Sequence, residues 1–126
     1  MGLVHDSALS ERVIKPAIDV HRHLGPRLLE STYEECLCFE LRAEGRQFER
    51  QVALPVVYKS VRLDCAYRMD IVVERKLVVE IKSVDRLMSI HEAQMLTYLR
   101  LSGHKVGLLM NFNSAALKDG LRRLVL

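Results

Sequence analysis

Apolar positions recur every three or four residues over roughly the first 45 residues, every two residues from about 48 to 83, and helically again after residue 88. In the segment SERVIKPAIDVHRHL, Val13, Ile14, Ala17, Ile18, His21 and Leu24 lie at helical spacing behind a serine cap, predicting a helix over 10–24 closed by Gly25-Pro26. Pro16 lies inside this pattern, where it costs on the order of 3 kcal/mol, so a bend or a start near Lys15 is expected. Residues 1–9 are expected to form a flexible terminus. A second helix is predicted from Arg27 to about Glu44, stopped by Gly45. Its apolar stripe runs through Leu29 or Glu30, Tyr33, Leu37 and Leu41, which turns the Glu30 carboxylate inward.

Alternation then predicts three strands at about 48–58, 61–73 and 77–83, with Pro55 at an edge or bend and Lys59-Ser60 in a turn. SIHEAQMLTYLRLSG carries Ser89 and Glu92 as a capping box and Gly103 as its stop, predicting a third helix. KVGLLMNF is continuously apolar, as a strand covered on both faces would be, and SAALKDGLRRLVL predicts a short helix or turn and a last strand. The order is that of an α/β fold: an antiparallel meander leading through a crossover helix to another strand of one mixed sheet, flanked by helices. A single domain over 1–126 is expected from the length.

The stretch YRMDIVVERKLVVEIKSV places three polar residues among valines. If 67–73 and 77–83 pair through Glu74-Arg75-Lys76, residue 70 faces 80 and 72 faces 78. Asp70 and Glu80 then have β-carbons about 5 Å apart, and Lys82 shares their face. Met69, Ile71, Val73, Leu77, Val79 and Ile81 collect on the other. A turn one residue longer or shorter would destroy that sorting. Two carboxylates about 4 Å apart repel by roughly 1 kcal/mol in water and about 4 kcal/mol at an effective dielectric of 20, so they call for a cation. A structural ion pair with Lys82 meets that need. So does a hard divalent ion, Mg²⁺ or Mn²⁺, which would activate water and hold a phosphate oxygen for phosphodiester hydrolysis.

Composition adds limits. With 49% hydrophobic and 28% charged residues the chain reads as globular, and a net charge of +3 allows a polyanionic partner without requiring one. Cys36, Cys38 and Cys65 have no metal-type spacing and read as free thiols. The start, MGLVHDSALSERV, lacks a basic region followed by an apolar run, and no apolar segment nears the roughly 20 residues that span a bilayer. A cytoplasmic protein without membrane contact is expected. There is no glycine-rich phosphate loop, nucleophile elbow or Ser-His-Asp arrangement. Asp64, Tyr58, Lys59, Arg62, Arg68, Arg75, Arg122 and Arg123 read as turn, rim or ordinary solvated surface.

Asp70 followed by Glu80-Ile81-Lys82 resembles the signature of the PD-(D/E)XK nuclease superfamily, and Gln94 with Tyr98 resembles the Gln-x-x-x-Tyr element of its RecB-type members. The chain from about Ser10 onward is similar to the small bacterial GxxExxY family, with VHRHLGP, LLESTYEE, LPVVYKSVRLDCAYRMD, EIKSV, HEAQMLTYLRLSG and LLMNFN in order. Arg27 stands where that family has its glycine, while Glu30 and Tyr33 match. The resemblance implies a restriction-endonuclease-like fold and a nuclease acting on DNA or RNA. Asp70, Glu80 and Glu30 would be its metal ligands and Lys82 its charge-stabilising catalytic residue. Gln94 and Tyr98 would position substrate, with His21 and Tyr33 as accessory residues. A nuclease-fold module that binds nucleic acid or a protein partner without cutting is the alternative, and a homodimer or partner protein could supply recognition under either reading.

Overall fold

The computed structural model describes residues 7–64 and 67–126. Helix α1 (Ser7–Leu24) and helix α2 (Glu30–Ala43) precede β1 (Phe48–Ala53), β2 (Val56–Tyr58), β3 (Val61–Leu63), β4 (Arg68–Val73) and β5 (Leu77–Lys82). Helix α3 (Ser89–Ser102), β6 (Val106–Asn111), a 3-10 turn (Leu117–Gly120) and β7 (Leu121–Val125) complete the order. Five strands form one sheet in the order β1-β4-β5-β6-β7. Only β5 and β6 are parallel, joined by α3 as the crossover, and the other neighbours are antiparallel. This is the mixed α/β sheet that the sequence predicts.

Each face of the sheet has its own core. Ile71, Val73, Leu77, Val79 and Ile81 pack with Leu9, Val13, Ala17 and Val20 of α1 and with Tyr33, Leu37 and Leu41 of α2. On the other side Val72, Val78 and Leu109 pack against Met95, Tyr98 and Leu99 of α3. Gly107 makes the second contact close, because a Cβ there would overlap the Met95 side chain. β6 is buried along its whole length, which accounts for its unbroken apolar run. Met69 departs from the expected sorting and joins the α3 side with Leu54 and Val72.

Several expected boundaries are corrected. α1 begins at Ser7, so residues 7–9 are helical and the late start near Lys15 does not occur. Pro16 lies inside the helix, its ring buried with Val13, Ala17 and Val20. α2 begins at Glu30 rather than Arg27. The strands expected at 48–58 and 61–73 are each divided, and the end of the first, β2, pairs with the start of the second, β3, as a separate two-stranded ribbon. Pro55 lies in the first break, and Lys59, with φ 55°, turns the ribbon. The cap of α3 is also different: His91 Nδ1 accepts the Met88 N–H at 2.9 Å, and Ser89 is already helical. Cys65 and the first six residues lie outside the described residues.

Between α1 and α2 the chain reverses through two left-handed residues, Gly25 (φ 72°) and Arg27 (φ 76°). Glycine takes that region freely, whereas a residue with a Cβ is strained there by about 1–2 kcal/mol. Arg27 is exposed and stands at the position where the GxxExxY pattern has glycine. The glycine therefore answers to a backbone requirement. Arg27→Gly is expected to stabilise the protein by about 1 kcal/mol, the relief of strain exceeding the added entropy of the unfolded chain. Thermal melting checks this, and an unchanged or lowered midpoint would contradict it.

Candidate active site

The turn between β4 and β5 sets the site. Glu74 (φ 53°) and Arg75 (φ 58°) are both left-handed, as a mirror-image hairpin turn requires, and the Val73 carbonyl accepts the Lys76 N–H at 3.0 Å. Val73 pairs with Leu77, Val72 with Val78 and Ile71 with Val79. That is the register the polar pattern demands, and its next step puts Asp70 opposite Glu80. The recorded ladder stops one residue short of them. In its place each carboxylate reaches the other strand: Glu80 Oε2 accepts the Asp70 N–H at 2.8 Å and Asp70 Oδ2 accepts the Ile81 N–H at 2.9 Å. The β4–β5 ladder ends in a reciprocal pair of side-chain caps, which satisfies backbone donors that would otherwise be buried without partners.

This puts two like charges where water is scarce. Glu80 is 4% exposed and Asp70 is half-buried. Burial, and then repulsion from Asp70, push the Glu80 carboxyl up to about 8. Burial raises the Asp70 carboxyl as well, against the hydrogen bond from Ile81. Tyr98, on the α3 side, is pushed up to about 12 by burial and by the nearby Glu80 and Asp70 charges. Lys82 brings positive charge that favours ionisation of both acids, and its Nζ donates to Gln94 Oε1 at 3.4 Å. Five residues singled out from the sequence, Asp70, Glu80, Lys82, Gln94 and Tyr98, are thus brought together.

Glu30 sits differently from its expected inward place. It is exposed in the first turn of α2, and its Oε2 accepts the Ser83 N–H at 3.2 Å, so it meets the chain just beyond Lys82. It lines a cleft with Asp70, Gln51, Glu34 and Ser83. The buried carboxylate of α2 is Glu34, one turn on, which sequence reading missed. Glu34 Oε2 accepts from Arg50 Nε at 3.1 Å and Nη2 at 3.0 Å, and Gln51 Nε2 donates to both Glu34 oxygens. The i+4 spacing from Glu30 was the available signal.

Tyr33 lies in the core with its hydroxyl bonded: it donates to the Gly25 carbonyl, accepts the Leu28 N–H at 3.1 Å and stacks on Phe112 at 4.5 Å. Ser83 Oγ donates to the Leu28 carbonyl at 2.8 Å. The α1–α2 loop is therefore tied to the end of β5. Asn111, also missed, is 1% exposed and clamps the same segment, accepting the Val84 N–H at 3.0 Å and donating to the Val84 carbonyl at 2.9 Å. His21 lies apart from the carboxylates, its Nε2 2.8 Å from the Ser114 carbonyl. Cys36 and Cys38 are free, and burial pushes the Cys38 thiol up to about 11, which leaves it unreactive.

A scan against protein families matches residues 7–124 to the PD-(D/E)XK nuclease superfamily. The chain belongs to that superfamily. Searches of curated proteins and of solved structures each gave no match. Superfamily nucleases generally use divalent metals. Among the described residues no three His, Cys, Asp or Glu side chains group closely enough to hold an ion by themselves. Two carboxylates do converge, and they fit Mg²⁺, which keeps several waters and is held by one or two carboxylates together with substrate phosphate.

The pH dependence has a definite sign. Glu80 titrates at about 8 in the folded chain against an ordinary 4.5, so between those values the folded state binds more protons than the unfolded one. Stability contributed by this group is full below about pH 4.5 and falls as pH rises to about 8. Glu80→Gln, which keeps an oxygen for the Asp70 N–H, is expected to raise the melting temperature at about pH 8 and to change it little at about pH 5. Melting curves across that range check this, and a difference independent of pH would contradict it.

Proposed function

We propose that the protein is a divalent-metal-dependent nuclease that hydrolyses phosphodiester bonds in DNA, or in RNA, within the cytoplasm. One observation carries the reading: Asp70 and Glu80 converge at the parted end of β4 and β5 with Lys82 on the same strand, in a chain of nuclease-superfamily fold. Asp70 and Glu80 would hold Mg²⁺ or Mn²⁺, with Glu30 at the cleft edge as an outer ligand. Bound there, the ion supplies positive charge that lowers the pKa of water and neutralises a phosphate oxygen. Lys82 contributes charge stabilisation at phosphorus as negative charge develops, a role worth about 10²–10³ in rate where such a group is removed from an active site. Gln94 orients the Lys82 ammonium through its Oε1. Tyr98, buried against the acids, narrows the site and excludes water on the α3 side.

A second reading has its own observation. Each acid already gives one oxygen to a backbone N–H, so the pair also serves as a structural cap. On that reading the domain is a non-cleaving module that holds nucleic acid or a protein partner, with a homodimer or that partner supplying specificity.

The test is incubation with Mn²⁺ or Mg²⁺ and supercoiled, linear, single-stranded DNA and RNA, comparing the unaltered protein with Lys82→Ala. Cleavage is expected from the former, with a loss of at least about hundredfold in the variant. Equal cleavage by Lys82→Ala removes its assigned role. Retention of DNA without cleavage of any substrate favours the module.

A further inference from the structure

Gln51 reaches the site from β1 and belongs to no part of the superfamily signature. Phe48, Glu49, Arg50, Val52 and Ala53 all have Cα partners on β4 in one continuous register, and Gln51, which that register would set against Asp70, has none. Its φ of 50° is left-handed, in the interior of a strand and with a Cβ present. Asp70 thus stands outside the recorded Cα pairs on both sides, toward β1 and toward β5.

The result is seen in the side chain. Gln51 Nε2 lies 3.1 and 3.2 Å from the two oxygens of Glu34 and 3.4 Å from Asp70 Oδ1. Nitrogen rather than oxygen must face this point, because an amide oxygen would meet only acceptors. Gln51 itself is exposed, so packing does not hold its side chain there. Its anchor is firm: Glu34 is 7% exposed and is gripped by Arg50 through two N–H groups. Asp70 is consequently met at both oxygens, Oδ2 by the Ile81 N–H at 2.9 Å and Oδ1 by the longer contact from Gln51.

We propose that Gln51 is the positioning residue of the site, limiting the rotation of the Asp70 carboxylate by tying it to the buried Glu34 carboxylate that Arg50 holds. The inference rests on Asp70 being a ligand for a divalent ion. A carboxylate that must rotate into place binds an ion less tightly than one already aimed, and removal of such an outer partner typically costs 10–100-fold in metal affinity. A glutamate at 51 would add repulsion, and a lysine would compete with the ion for Asp70. A neutral donor of this length does neither.

The experiment is calorimetric titration of Mn²⁺ into the unaltered protein, Gln51→Gly, Gln51→Met and Asp70→Asn, with a thermal melt of each. Glycine accepts the backbone conformation and removes the amide, while methionine keeps the length without a donor. Both are expected to raise the Mn²⁺ Kd by about tenfold, and Gln51→Gly is expected to melt no lower than the unaltered protein. A merely structural role would shift melting and leave the Kd alone. An unchanged Kd in both variants overturns the inference while the metal site stands. Absence of Mn²⁺ binding by the unaltered protein, or undiminished binding by Asp70→Asn, overturns it together with the reading on which it rests.

Discussion

The reciprocal capping of Asp70 and Glu80 is the interaction on which the site depends. An antiparallel pair ordinarily satisfies its backbone donors with the opposite carbonyls. Here the ladder ends while the strands are still covered, and two carboxylates take over the N–H groups it leaves without carbonyl partners. That solution opens a gap between strands in the interior of a sheet, and it concentrates negative charge in the gap. The same pair thus gives the backbone its hydrogen bonds and holds Glu80, a carboxyl that burial and the Asp70 charge push up to about 8. A cation in the gap would relieve the repulsion without disturbing either cap, because the Asp70 N–H engages only one of the two Glu80 oxygens.

The surrounding parts hold that gap in shape. Ser83 and Val84, which follow Lys82, are bound from two directions: Leu28 and Glu30 on one side, Asn111 on the other. Tyr33 fixes the loop from which Leu28 and Glu30 reach across. The GxxExxY pattern is therefore a mechanical unit. Its glycine position is a left-handed turn, its glutamate meets the chain beyond the Glu-x-Lys strand, and its tyrosine closes the loop on itself. In this chain Arg27 retains the conformation at a cost in strain.

Much of this was legible in residue order because the physical rules involved are local. Two-residue alternation through a short turn leaves few registers, and only a turn with an odd number of residues keeps Asp70, Glu80 and Lys82 on a common face. The crossover helix and the buried β6 followed from a helical segment preceding an unbroken apolar run. Alternation continues through Leu54-Pro55 and on from Leu63, so it does not mark where β2 and β3 separate from the main sheet as a ribbon of their own. Glu30 was expected inside because apolar spacing marks a helix face and does not show where the helix begins. With α2 starting at Glu30, the buried carboxylate is Glu34. Gln51 could not be read at all, since nothing in its neighbours announces a left-handed residue within a strand.

The central claim is that the Asp70–Glu80 gap is a divalent-ion site, and it is tested most directly by thermal melting of the unaltered protein and of Asp70→Asn, with and without millimolar Mn²⁺. An ion bound only by the folded chain raises its stability by mass action. The account predicts a rise in the unaltered protein that is lost in Asp70→Asn. No rise, or an equal rise in both, would contradict it.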